Sequence, residues 1–341
     1  MLVKFKRTAT LAPIAAIAIG GLALAGCSAE AVESDGLSVV TTTTQVGDIT
    51  SSVIGDTAEI HQLLDPGESA HSYDPTPESL QALATADVLV MNGAGLESWL
   101  QPVLESSGFD GQVIDASENV QPLEGDHSDH DHGDEDHGDH EHSDDEADPQ
   151  AHTDPHIWTD PHNVEAMTAT IAAGLAEAAP ESADVIEQNA AAYADKLAAL
   201  DAWMHEAFET VPVEDRLLIT NHNTFGYLAA ANDITIVGSV LPAFDDNAEV
   251  SAAAIDALVA SIKETGAKAV FSETQLDAQL AETIANEAGI EVYSGEQALY
   301  TDALGAAGTD GETYIGSQVH NTSLMVEAWG GSAPDVPEEL K

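Results

Sequence analysis

Four short stretches of this 341-residue chain set metal-ligating side chains beside prolines, glycines or the ends of apolar runs. They are HSYDPTP (71–77), DPHIWTDP (154–161), TNHNTFGY (220–227) and YTD (300–302). His and Asp offer imidazole nitrogen and carboxylate oxygen, the donors that borderline and hard divalent cations take. A fifth stretch is of another kind. Residues 125–148 hold six histidines (His127, His130, His132, His137, His140 and His142) and twelve Asp or Glu, the remainder being Gly, Ala and Ser. A segment so poor in apolar side chains cannot offset its ordering entropy, which predicts a mobile loop. A solvated acidic linker would account for the carboxylates but not for six imidazoles, and His-rich tracts bind metal. Mobility argues against one rigid, tight site there. The tract is therefore expected to capture metal in an auxiliary way, and the principal site is sought in the folded parts.

Those parts must be built from elements that hold the four stretches in place. Residues 37–43 are β-prone, and 88–91 form a short apolar run closed by Asn92-Gly93; each suits a buried strand followed by a turn. Pro77 to Ala86 reads as a helix. After residue 210 the rhythm returns, with short apolar runs at 217–219, 234–237 and 269–271 and helical stretches at 249–265 and 274–288. Alternating short strands and helices predict an α/β fold with parallel sheets. One segment breaks the rhythm: from Glu181 to Thr210 there is no Gly or Pro, and Ile186, Ala190, Tyr193, Leu197, Leu200, Met204 and Phe208 recur at three- and four-residue spacing. That predicts a long amphipathic helix joining an N-terminal α/β lobe (37–180) to a C-terminal one (211–330), with a tail at 331–341. The competing reading is one large α/β domain that contains a long helix.

The ends and the composition narrow the setting. Lys4, Lys6 and Arg7 precede a short apolar stretch at 9–25 and then Leu24-Ala25-Gly26-Cys27. A basic start, a brief apolar stretch and small residues before a cleavage point predict a signal peptide over 1–26 rather than a membrane span. Cys27 is the only cysteine of the chain and stands where a bacterial lipobox would place its lipidated residue. Residues 27–36 then form a tether from acyl chains held at a membrane surface. A single cysteine also excludes internal disulfides and multi-thiolate zinc sites. Formal net charge is −53, which removes nucleic acid as a partner and favours cations.

On HSYDPTP, DPHIWTDP, the His222 loop and Tyr300-Thr301-Asp302, the chain resembles the zinc- and manganese-uptake solute-binding proteins of ABC transporters, the TroA-like superfamily, from about residue 38 to 329. The resemblance implies that His71 and His156 are metal ligands from the first lobe and His222 and Asp302 from the second, with the site in the cleft between them. Three neutral imidazoles and one carboxylate make the N/O donor set and the fourfold count that zinc favours. Relatives preferring manganese commonly carry a carboxylate at the third position, so His222 points to zinc, with manganese the alternative. Glu273, in Phe271-Ser272-Glu273, stands at a strand end and is a candidate to orient a ligand imidazole from behind. His61, His162, His205 and His320 are read as structural or exposed, and the four tryptophans as packing residues.

Three functions compete on these residues. The first is a lipid-anchored, monomeric extracytoplasmic receptor that captures Zn2+ and delivers it to an ABC permease. The second is a secreted zinc hydrolase, which would need an open coordination position and a base; four ligands close the shell and only Glu273 is placed to act as one. The third is a metal-buffering or adhesion lipoprotein in which the acidic tract is the working part. The expectation is the receptor, and not an enzyme.

Overall fold

Parallel pairing organises every sheet among the described residues. The computed structural model describes residues 36–123, 153–241, 243–244 and 250–341. The expectations for the signal, Cys27 and the tract 125–148 lie outside the described residues. In the first half, β1 (Leu37–Thr41), β2 (Ala58–Gln62), β3 (Val88–Met91) and β4 (Gln112–Asp115) form one sheet in the order β2-β1-β3-β4, with every pairing parallel. The crossovers carry α1 (Thr44–Ile54), α2 (Pro77–Thr85) and α3 (Leu100–Ser107). In the second half, β5 (Leu217–His222) pairs with β6 (Thr235–Leu241), and β7 (Ala269–Phe271) with β8 (Glu291–Tyr293), again parallel. Strand β7 packs against β5, and α6 (Gly226–Ala231), α7 (Ala252–Thr265), α8 (Gln279–Ala288) and α9 (Tyr314–Trp329) complete that half.

Apolar runs mark β3, β5, β6 and β7, and they miss β2, β4 and β8. Those three each pair with a single neighbour, and their sequences AEIHQ, QVID and EVY put polar side chains on a half-exposed surface. An edge strand has no need of a continuous apolar run. The three threonines at 41–43 also behave differently from a uniform strand. The strand ends at Thr41, and the Thr43 hydroxyl accepts from the Val46 N–H at 3.3 Å, capping α1 within two residues of the sheet.

Between the halves run α4 (Pro161–Ala178) and the 27-residue α5 (Ala183–Glu209), about 40 Å long at 1.5 Å per residue. Of the seven residues at the expected spacing on α5, six are buried and Ala190 packs at the edge of the core. The helix is not a bare strut. It packs on α1 and α4 toward its beginning and on α9 toward its end, so one hydrophobic core runs from Val39 and Ile49 through Leu197 and Leu200 to Met325 and Trp329. Each fully buried Leu or Phe on that face contributes about 1.5–3 kcal/mol, and together they resist flexing of the joint. Gly36–Lys341 accordingly cohere as one compact unit. No helix among the described residues is long and apolar enough to cross a membrane.

Candidate metal centre

His71, His156, His222 and Asp302 converge. One donor atom from each lies within 4.8 Å of all the others, and three of the four residues are buried. His71 sits in the loop between β2 and α2, with its side chain 7% exposed. Its loop is fixed by Trp99, whose indole N–H donates to the Ala70 carbonyl at 3.0 Å, and by the Thr76 cap and Pro77 that start α2. His156 precedes a single helical turn at Ile157–Thr159 and then α4, which is capped by Asp160 with Pro161 in its first turn. His222 is the last residue of β5. The strand runs three residues past the apolar run that marks it, and a register shift between Leu218 and Ile219 sets the aim of its end. Asp302 lies in the loop before α9, and neither of its carboxylate oxygens has a hydrogen-bond donor among the described residues.

The distances describe a small polyhedron. His71 Nε2 and His156 Nε2 are 3.1 Å apart, and His222 Nε2 and His156 Nε2 are 3.3 Å apart. Asp302 Oδ2 lies 3.2 Å from His222 Nε2 and 3.4 Å from His71 Nε2, and Oδ1 lies 3.6 Å from His156 Nε2. A tetrahedron of donors about 2.0–2.1 Å from a central zinc has edges of about 3.3 Å. With Asp302 Oδ2 as the fourth vertex, four of the six edges fall near that value.

The proton inventory decides what belongs at the centre. His156 Nδ1 stands 2.7 Å from Asp154 Oδ1, and His222 Nδ1 stands 2.5 Å from Glu273 Oε2. A carboxylate oxygen only accepts, so each Nδ1 carries a hydrogen, and each ring, once its Nε2 is free of a proton, turns a lone pair inward there. Lone pairs and a carboxylate facing one another in a buried space repel, and a cation at the centre turns that repulsion into attraction. The same field acts on protons. Burial alone would push the His222 imidazole down, but the carboxylates of Glu273 and Asp302 outweigh it and hold it well above its ordinary value. Burial would push the Asp302 carboxyl up, yet His222 beside it holds it well below the usual carboxylate range. Burial wins at His156, which is lowered despite its bond to Asp154 and so stays neutral.

Glu273 accepts from the ring and backbone N–H groups of His222, and a second carboxylate makes the same two contacts with His156. Asp154, two residues before His156, accepts both its ring N–H and its backbone N–H, the latter at 3.0 Å. Its spacing in DPHIWTDP was the available signal. A Cβ on Gly226 would lie 2.3 Å from Asp154 Oδ2, so glycine at the start of α6 is what lets this loop pack so closely. Behind it stands Glu97, which burial pushes up to about 6 although the Thr42 hydroxyl and the Asn92 and Gly93 N–H groups donate to it. Asn92, so fixed, donates to the Pro155 carbonyl next to His156 at 3.1 Å. Other histidines lie elsewhere. His205 pairs with Asn232 at 2.7 Å, His320 contacts the Ala298 carbonyl at 3.0 Å, and the His162 side chain is 81% exposed. Trp158, Trp203 and Trp329 are buried packing residues.

The family described as zinc-uptake complex component A, periplasmic, matches residues 39–328. The chain belongs to this family. Among similar proteins is a manganese-binding lipoprotein, MntA, of Halalkalibacterium halodurans, 31% identical over 314 residues that cover 91% of this chain and 95% of that one. A manganese ABC transporter substrate-binding lipoprotein, PsaA, of Streptococcus pneumoniae is 25% identical over 94% of this chain and 98% of its own. The periplasmic zinc-binding protein TroA of Treponema pallidum superposes with a TM-score of 0.72 at 24% identity, covering 85% of this chain and 98% of that one. As a member of the zinc-uptake component A family, the chain is a metal-binding component of an ABC transporter and not an enzyme. Its fold is the family's pair of α/β lobes with parallel sheets and a long connecting helix.

Proposed function

We propose that this protein is a lipid-anchored extracytoplasmic receptor that binds one Zn2+ between His71, His156, His222 and Asp302 and delivers it to an ABC import permease. The observation that carries the reading is the convergence of three imidazole nitrogens and one carboxylate, with edges of 3.1–3.6 Å and two of the rings backed by carboxylates. Nitrogen-rich tetrahedral sites favour zinc, whereas manganese takes more oxygen donors and a higher coordination number. In this reading the lobes span 37–180 and 211–330, α5 joins them, Cys27 carries the anchor and the tract 125–148 gathers cations for the cleft. The receptor acts as a monomer.

Manganese is the second reading, and a specific observation favours it: the relatives MntA and PsaA are manganese-binding by name. Both readings use the same four ligands. Competition decides between them. Purified protein titrated with zinc against a chelator of known affinity, and with manganese against zinc, is expected to retain one zinc equivalent in excess manganese. Displacement of zinc by manganese at comparable concentration would overturn the zinc assignment and leave the receptor. Absence of any tight equivalent of either metal would overturn the site.

A further inference from the structure

The segment carrying Asp302 belongs to the second lobe in sequence but is gripped from the first. The Thr301 carbonyl accepts from the Gln45 side-chain amide at 2.8 Å and from the Trp158 indole N–H at 3.1 Å. Beyond Asp302, the Leu304 N–H donates to the Thr44 hydroxyl at 2.8 Å. That hydroxyl donates to Gln45 Oε1 at 3.1 Å, which turns the amide nitrogen toward Thr301. The Thr301 side chain reaches the other way. Its hydroxyl donates to Glu273 Oε2 at 2.9 Å, and Gln275 Nε2 contacts both that hydroxyl oxygen at 2.6 Å and Glu273 Oε2 at 3.2 Å. Glu273 then holds His222 by ring and backbone. Gln45, Trp158, Thr301 and Glu273 are all at most 2% exposed.

One residue thus ties the start of α1 and the neighbourhood of His156 to both ligands of the second lobe. We propose that Gln45 and Thr301 are positioning residues that set the lifetime of the bound cation, their contact serving as a latch between the lobes; this rests on reading the four-residue cluster as the metal site. His156, His222 and Asp302 are fully enclosed and His71 stands at the rim with its side chain 7% exposed, and in this proposal a cation leaves as the second-lobe ligands part from the first-lobe ones. Parting breaks the bonds from Gln45 and Trp158 and leaves the Thr301 carbonyl unpaired in a dry space, which raises the barrier to release. Capture starts from the parted arrangement and forms these bonds late. Loss of the latch therefore speeds release more than it slows capture.

Gln45→Met keeps the shape of the side chain and removes the donor; Thr301→Val removes the hydroxyl, and Thr301→Ser keeps it. Zinc release into excess chelator is expected to be about five- to tenfold faster in Gln45→Met and Thr301→Val, with Thr301→Ser near the parent, as loss of one buried hydrogen bond implies. Cobalt loaded in place of zinc reads the ligand geometry: the visible spectrum is expected to change in Thr301→Val and to be restored in Thr301→Ser. In metal-free protein, amide exchange at 301–304 is expected to quicken in Gln45→Met. Asn189→Ala, which removes a bond to the Val53 carbonyl away from the site, controls for destabilisation alone and should leave the release rate unchanged. Should Thr301→Val fail to fold, Gln45→Met decides the matter. Parental release rates with one tight zinc equivalent retained would overturn the latch and leave the metal site standing. A parent protein that binds neither zinc, manganese nor cobalt tightly would overturn the site itself.

Discussion

Glu273→Gln tests whether the group behind His222 tunes the metal. The carboxylate, fully buried, takes four donors: the His222 N–H on Oε1 at 2.8 Å, and the His222 ring N–H, the Thr301 hydroxyl and the Gln275 amide on Oε2. An amide cannot replace it, because its NH2 must face either the His222 backbone N–H or three donors at once. The better orientation still sets two buried donors against each other, at about 1–3 kcal/mol. Losing the charge also makes the ring a poorer donor to metal, and changes of this kind weaken metal affinity about 10- to 100-fold, or about 1.4–2.8 kcal/mol. Protons add a signature with a definite sign. Glu273 helps to raise His222, so in the parent zinc must displace a proton from that ring at neutral pH. In the variant His222 falls toward its ordinary value and competition weakens. The affinity gap between parent and variant should then be widest at alkaline pH and narrow as pH falls. Calorimetry with a competing chelator, in two buffers of different ionisation enthalpy, reads both affinity and proton release. Unchanged affinity, or a gap that widens toward acid pH, would refute the assignment of this role to Glu273.

Other outcomes follow from the same geometry. His71→Ala and His222→Ala should each lose tight one-to-one zinc binding while keeping the fold, checked by calorimetry beside circular dichroism; unchanged affinity in both removes the proposed site. In the parent, zinc affinity should fall by at least about tenfold for each pH unit below the raised His222 value, since a proton competes at that ring while His156 is already neutral and Asp302 stays ionised. Affinity that stays flat from mildly alkaline to mildly acid pH contradicts this. Deleting residues 125–148 should leave the tightest equivalent in place and remove weaker ones, because all four proposed ligands lie outside the tract; loss of the tight equivalent would make the tract the principal site. Cys27→Ser should release the protein from the membrane fraction, and continued tight association would mean a different attachment.

Much of the fold was legible because its signals are local. The helix over 183–209 declares itself by an unbroken run without Gly or Pro and a repeating apolar seam, both properties of adjacent residues. The buried strands β1, β3, β5 and β7 declare themselves by apolar runs, since parallel strands covered on both faces need them. What stayed hidden is what a chain does at its margins. Edge strands such as β4 carry polar residues that read as loop, and the extension of β5 to His222 follows from pairing with β6 rather than from any run of its own. Helix α9 is similarly quiet, although it buries Tyr314, Met325 and Trp329, because its Thr, Ser, Asn and Gln residues dilute the apolar seam.

The site divides along the same line. Ligand candidates are visible one at a time, since His71, His156 and His222 each stand in a short distinctive stretch, and Asp154 stands within two residues of the ring it orients. Nothing local connects Gln45 to Thr301, which are 256 residues apart, or Trp158 to Thr301, which are 143 apart. Those bonds exist only because the shared core seats α9 and the loop before it against α1. A carbonyl oxygen also leaves no mark in the sequence, as every residue has one, so the Thr301 acceptor is invisible until the donors are placed around it. The donor set, and hence the class of cargo, can therefore be read from residue types. The rate at which cargo is released depends on contacts made across the whole chain, and sequence-local reasoning cannot reach it.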